Sequence, residues 1–151
     1  MNEKKFIGTW KLKSFEAELP DGRVLYPHGK NPDGYIMYSE DGYMLVLITD
    51  QDRKSFAGEA IPSKHFWKTV NDHKKAEAYE TLLSYCGKYK VKNEDVVEHF
   101  IEVSSFPNWV GTTQERTYKF SENLLTLSQV TPWAIATLVW EKLHAEKTMV
   151  I

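Results

Sequence analysis

Most of the chain alternates between apolar and polar residues with a period of two, the pattern of strands with one buried face. Trp10, Leu12, Ser14 and Glu16 share one face of a first strand that opens at Gly8-Thr9-Trp10, and Lys11, Lys13, Phe15 and Ala17 share the other. Leu19-Pro20-Asp21-Gly22-Arg23 is a turn, because proline presets φ and glycine accepts a positive one. Val24–Tyr26 is a short strand stopped by Pro27. Tyr35–Ser39 and Tyr43–Thr49 form a hairpin across Glu40-Asp41-Gly42. Leu45, Val46, Leu47 and Ile48 are apolar on both faces, which predicts a strand covered on both sides. Strands resume at Lys88–Lys92, with Tyr89 and Val91 inward, and a further hairpin joins Arg116–Phe120 to Leu124–Ser128. The last strand is Ala134–Leu143.

One stretch breaks this rhythm. Ala76, Tyr79, Leu83 and Cys86 recur at helical spacing, with Leu82 beside them. Thr69 and Asp72 have the spacing of a capping box, and Gly87 stands where a C-terminal cap belongs. The spacing predicts one long helix over 69–86, inserted between two groups of strands, with an earlier turn at Pro62–Trp67. About eight to ten short strands with close turns indicate a sandwich or a barrel, and a barrel of roughly eight strands can hold one small ligand.

The segment Val96–Arg116 carries the best candidate chemistry. Val97, His99, Ile101 and Val103 fall on one face, with Glu98 and Glu102 on the other, so His99 is expected to point inward. The connection Ser104–Gly111 combines a proline, a glycine, Phe106 and Trp109, which makes it a loop. In the next strand Arg116 shares its face with Gln114, Tyr118 and Phe120. An inward histidine and an inward arginine joined by an aromatic loop describe the wall and rim of a pocket. His99 is a candidate base or ligand partner, against the reading of a core histidine satisfied by a nearby hydroxyl or carbonyl. Arg116 needs a partner if buried: either a carboxylate, with Glu16 the best inward candidate, or a carbonyl or carboxylate of a ligand. Trp109, Asn108 and Tyr85 are candidates for a lid over a flat ligand, or for a simple plug. Tyr38, Tyr89 and Tyr118 could offer phenol hydroxyls to a ligand carbonyl, or only line a half-buried sheet.

Composition narrows the function classes. The 151 residues suit one domain, 1–151. Their 42% hydrophobic and 13% aromatic content suits strands around a lined cavity. Nineteen basic and 21 acidic residues are intermixed, with a net charge of −2 and no basic stripe, which argues against nucleic acid as a partner. One cysteine, Cys86, excludes an internal disulfide and suits a reducing cytoplasm. The opening MNEKKFIGTW has no signal-peptide run and no stretch is long and apolar enough for a membrane span, so a cytoplasmic protein without a membrane partner is expected. The five histidines show no metal-ligand spacing. There is no nucleophile elbow and no glycine-rich phosphate loop, so neither metal nor cofactor is expected.

The ordered set GTWKLKSFE, DGRVLYPHGKNPDGYIMYSEDGYM, YCGKYKV, FPNWVG and LVWEK resembles the bacterial and fungal lipocalin-like domain family, nearly end to end. Gly8-Thr9-Trp10 is similar to the G-x-W opening of lipocalins and other calycins. The resemblance implies an all-β, up-and-down antiparallel barrel with a helix at one end. Some relatives act on small natural products. In many lipocalins an arginine near the end of the last strand packs over the first-strand tryptophan, whereas Lys142 stands there in this chain, so closure of that end by Trp140 is the alternative expectation. Fold alone does not settle function. The leading expectation is a barrel that binds a small, mainly hydrophobic molecule with a polar group. The alternative is a cofactor-independent isomerase, cyclase or hydrolase, with His99 moving a proton, and a third is an interaction module with a filled barrel.

Overall fold

The computed structural model describes residues 2–58 and 61–144. Its strands are β1 (Gly8–Glu18), β2 (Val24–Leu25), β3 (Asp33–Tyr38), β4 (Tyr43–Thr49), β5 (Leu82–Val91), β6 (Val96–Ser104), β7 (Thr113–Ser121), β8 (Leu124–Val130) and β9 (Ile135–Lys142). Every pairing is antiparallel. β1 pairs with β3 along one edge and with β9 along the other, so the sheet closes on itself, and β2 adds only a two-residue pairing to the upper part of β1. Closure gives a barrel of eight strands and leaves no long unpaired edge.

The lower end is sealed by aromatic rings. Helix α1 (Glu3–Phe6) drives Phe6, fully buried, between Tyr38, Tyr118 and Phe120 at centroid distances of 5.1, 4.9 and 4.9 Å. Trp10 is 3% exposed and donates its indole N–H to the Phe6 carbonyl at 2.8 Å. Lys142 closes this corner: its ammonium lies 4.7 Å from the Trp10 ring and donates to the Ile7 carbonyl. Partial burial lowers its pKa. Lysine thus takes the place expected of arginine.

Three expectations are corrected, each for a local reason. The helix over 69–86 is two shorter helices and the start of a strand: α2 (Lys64–Thr69), capped by Ser63, and α3 (Asp72–Glu80), capped by the Asn71 side chain rather than by Thr69. From Leu82 the chain pairs with β4, and Tyr85 and Cys86 lie well inside β5, paired with both β4 and β6. Two rows of ladder hydrogen bonds outweigh the local helical spacing. Gly87 is therefore no helix cap. A Cβ there would meet the Phe100 carbonyl oxygen at 1.9 Å, and the close approach coincides with a bulge. The same bulge pairs Cys86 with Val103 but Gly87 with Ile101, so Val103 turns outward and is 64% exposed.

The second correction is in β1. Leu12 pairs with Trp140 but Ser14 with Val139, so Lys13 is an extra residue and the alternation inverts. Phe15 turns toward the interior and Glu16 toward water, which removes Glu16 as a partner of Arg116. The third is in β4: Leu45 and Leu47 are 44% and 45% exposed, so its outer face is uncovered, while Val46 and Ile48 are buried.

Gly87→Ala should destabilise the fold by about 3 kcal/mol or more, since the obstructing atom is backbone and cannot rotate away. Chemical denaturation against the parent protein checks this, and a loss below about 1 kcal/mol would mean the two strands part easily at the bulge.

Candidate functional site

Above the aromatic floor the barrel is not filled. A cavity of about 70 Å³ lies among Ile36, Val46, Tyr85, Arg116, Leu127 and Trp140, with Phe15, Leu83, Trp109, Gln129, Ala136 and Leu138 also bordering it. Most of this lining is apolar, and the side chains on it that carry polar atoms are Tyr85, Arg116, Gln129 and the indoles of Trp109 and Trp140. By volume it holds several waters, and an aromatic molecule needs more.

Arg116 is brought in by the alternation of β7 and is 8% exposed. Among the described residues no carboxylate forms an ion pair with it. One guanidinium nitrogen donates to the Glu115 carbonyl at 2.9 Å, and the group lies 5.6 Å from the Trp109 ring centre. Trp109 comes from the 3-10 turn Pro107–Trp109 that leads from β6 toward β7, and its ring stands edge-on to Tyr85 at 5.3 Å. This residual positive charge is poorly compensated in a low-dielectric interior.

His99 is fully buried on β6 and held from both sides. The Tyr38 hydroxyl lies 2.8 Å from Nε2 and the Tyr85 hydroxyl 3.2 Å from Nδ1. Burial, reinforced by the charge of Arg116, lowers its pKa from 6.5 to about 3. The ring is therefore neutral at pH 7, with one nitrogen donating and the other accepting, and the two tyrosine hydroxyls take opposite roles. Burial also raises the pKa of both tyrosines, while Arg116 opposes that rise at each. The result is a chain of contacts, Tyr38–His99–Tyr85, that ends beside Arg116.

The remaining sequence candidates divide by position. Tyr85, Trp109 and Arg116 border the cavity together, and His99 and Tyr38 stand behind Tyr85. Tyr89 packs 4.8 Å from Tyr38 and donates to the Ser39 carbonyl at 2.8 Å, and Tyr118 donates to the Asn93 carbonyl at 2.9 Å; both belong to the floor. Asn108 is exposed on the turn and does not border the cavity. Sequence reading missed Phe15, Leu83, Gln129, Leu138 and Trp140. Period-two spacing of Leu125, Leu127 and Gln129, and of Ala136, Leu138 and Trp140, was the available signal for three of them. Phe15 was hidden by the bulge and Leu83 by the helical spacing. Among the described residues no three His, Cys, Asp or Glu side chains gather as a metal site requires.

A neutral buried histidine has a measurable signature. Its folded pKa lies below the unfolded value, so the unfolded chain takes up a proton first as pH falls. Stability is then full above about pH 6.5 and declines toward pH 3, by at most about 1.4 kcal/mol per pH unit from this group. Urea denaturation at several pH values should show a steeper loss for the parent than for His99→Gln. Equal slopes would mean that the imidazole already carries its proton in the fold.

The family model described as a lipocalin-like domain matches residues 7–145. A relative from Aspergillus oryzae, the 4'-hydroxy-3'-methoxypropiophenone carrier protein, is 36% identical over 85 residues, covering 48% of this chain and 77% of that protein. The closed eight-stranded barrel agrees with both matches, and the chain belongs to the lipocalin-like domain family.

Proposed function

We propose that this protein is a carrier that holds a small, mainly hydrophobic molecule inside the barrel, with an oxygen of that molecule on Arg116. The observation that carries this reading is the buried guanidinium: 8% exposed, bordering an apolar cavity, and without an ion pair among the described residues. A ligand carbonyl or phenolate supplies the acceptor that Glu16, turned to water, does not. The molecule for which that relative is named, an aromatic ketone with phenol and methoxy oxygens, has that chemistry and supports an aryl ketone or phenol as the class carried here.

In this reading Tyr85 and Trp109 flank the aromatic body, and His99 and Tyr38 hold Tyr85 in place from behind. Tyr89 and Tyr118 keep the floor rigid, and Asn108 stays at the rim. The cavity is smaller than the ligand, so binding widens the mouth by moving side chains there, Trp109 first, since it sits on a short turn. Proton transfer by His99 has less support, because both ring nitrogens already meet tyrosine hydroxyls and the ring does not border the cavity. We place the protein in the cytoplasm as a single domain: its one cysteine is a free thiol and no helix among the described residues could cross a membrane.

Native mass spectrometry and calorimetric titration with 4'-hydroxy-3'-methoxypropiophenone test the reading. One molecule should bind per barrel, and Arg116→Met should weaken binding about tenfold to a hundredfold while circular dichroism stays unchanged. Binding unaffected by Arg116→Met would place the ligand elsewhere, and no binding would refute this ligand class.

A further inference from the structure

The barrel contains two buried indoles, and the fold treats them differently. Trp10 gives its N–H to the Phe6 carbonyl at 2.8 Å. Trp140 is 1% exposed, and its Nε1 has no hydrogen-bond partner; no other buried side-chain nitrogen or oxygen among the described residues is left so. An orphaned buried donor is costly, and native structures rarely keep one without a use. The void against which the Trp140 ring lies is the cavity that Arg116 also borders.

We propose that Trp140 is a second ligand-reading donor, so that the molecule carried has two acceptor oxygens, one on the Arg116 guanidinium and a neutral carbonyl on the Trp140 indole N–H. This rests on the reading of the barrel as a carrier. Register sets the two donors apart. Trp140 pairs with Leu125, which pairs with Phe120, four residues along β7 from Arg116. The wall between them is apolar, formed by Leu127 and Leu138. A ligand that satisfies both donors therefore has oxygens at two ends of an apolar body, as a para-oxygenated aryl ketone has. Guanidinium and indole nitrogens only donate, so neither end selects for a ligand proton. The charged group takes the more acidic oxygen and the neutral indole takes the ketone.

The test uses two probes, 4'-hydroxy-3'-methoxypropiophenone and 2-methoxy-4-propylphenol, whose side chain has a methylene in place of the carbonyl, at a pH low enough that both phenols are protonated. With the Trp140 indole N–H assigned by triple-resonance NMR in the parent protein, the ketone should move that signal downfield. The phenol without the ketone, which keeps the aromatic ring, should not move it downfield. The ketone should bind about threefold to tenfold more tightly than its partner. Trp140→Phe should erase that difference while both probes still bind. A bound ketone that leaves the Trp140 signal where the second probe leaves it, or equal affinities in the parent, would overturn the proposal alone. Failure of both probes to bind would overturn the carrier reading for this ligand class, and this proposal with it.

Discussion

A guanidinium inside a closed barrel, without a counter-ion among the described residues, is the feature on which the rest of the site depends. Removing Arg116 from water is expensive, and the protein offsets that cost only in part, with one backbone carbonyl, the neighbouring Tyr85 hydroxyl and the face of Trp109. The uncompensated charge then shapes its neighbours. It adds to the burial that keeps His99 neutral, and it opposes the rise in the pKa of Tyr85. Because His99 is neutral, it can accept from one tyrosine and donate to the other, which fixes the hydroxyls of Tyr38 and Tyr85 without any charged partner.

The two ends of the barrel have different physical characters. The lower end is closed by Phe6, Trp10 and the rings around them, with Lys142 over Trp10 and nearly every polar atom there given a backbone partner. The upper end is made from side chains on a short turn and on a bulged strand. A rigid floor with an adjustable mouth suits a protein that must admit a molecule larger than its resting cavity. Arg116 and Trp140 border the space between these two ends.

Much of this was legible in the chain. Alternation placed His99 and Arg116 inward, and Gly8-Thr9-Trp10 marked the buried base. What escaped was phase. A single extra residue at Lys13 inverted the face of everything after it in β1, exchanging Glu16 for Phe15, and another at Glu102 turned Val103 outward. No residue type announces such a bulge in β1, whereas Gly87 does mark the second, and its glycine also fits a helix cap. The overextended helix has a similar cause: Leu83, Tyr85, Tyr89 and Val91 already alternate with period two, but the spacing from Ala76 to Cys86 fits a helix equally well. Only pairing with β4 and β6 decides between them. The orphaned indole of Trp140 could not be read at all, because an unmet hydrogen bond exists only once every neighbour is placed.

The central claim is that Arg116 reads an oxygen of a molecule held inside the barrel, and a crystal structure of the protein with 4'-hydroxy-3'-methoxypropiophenone tests it most directly. The account predicts density within the barrel above Phe6 and Tyr118, with a ligand oxygen in hydrogen-bond range of the Arg116 guanidinium and Trp109 displaced from its resting place. A ligand seated outside the barrel, or one inside it whose oxygens all point away from Arg116, would contradict it.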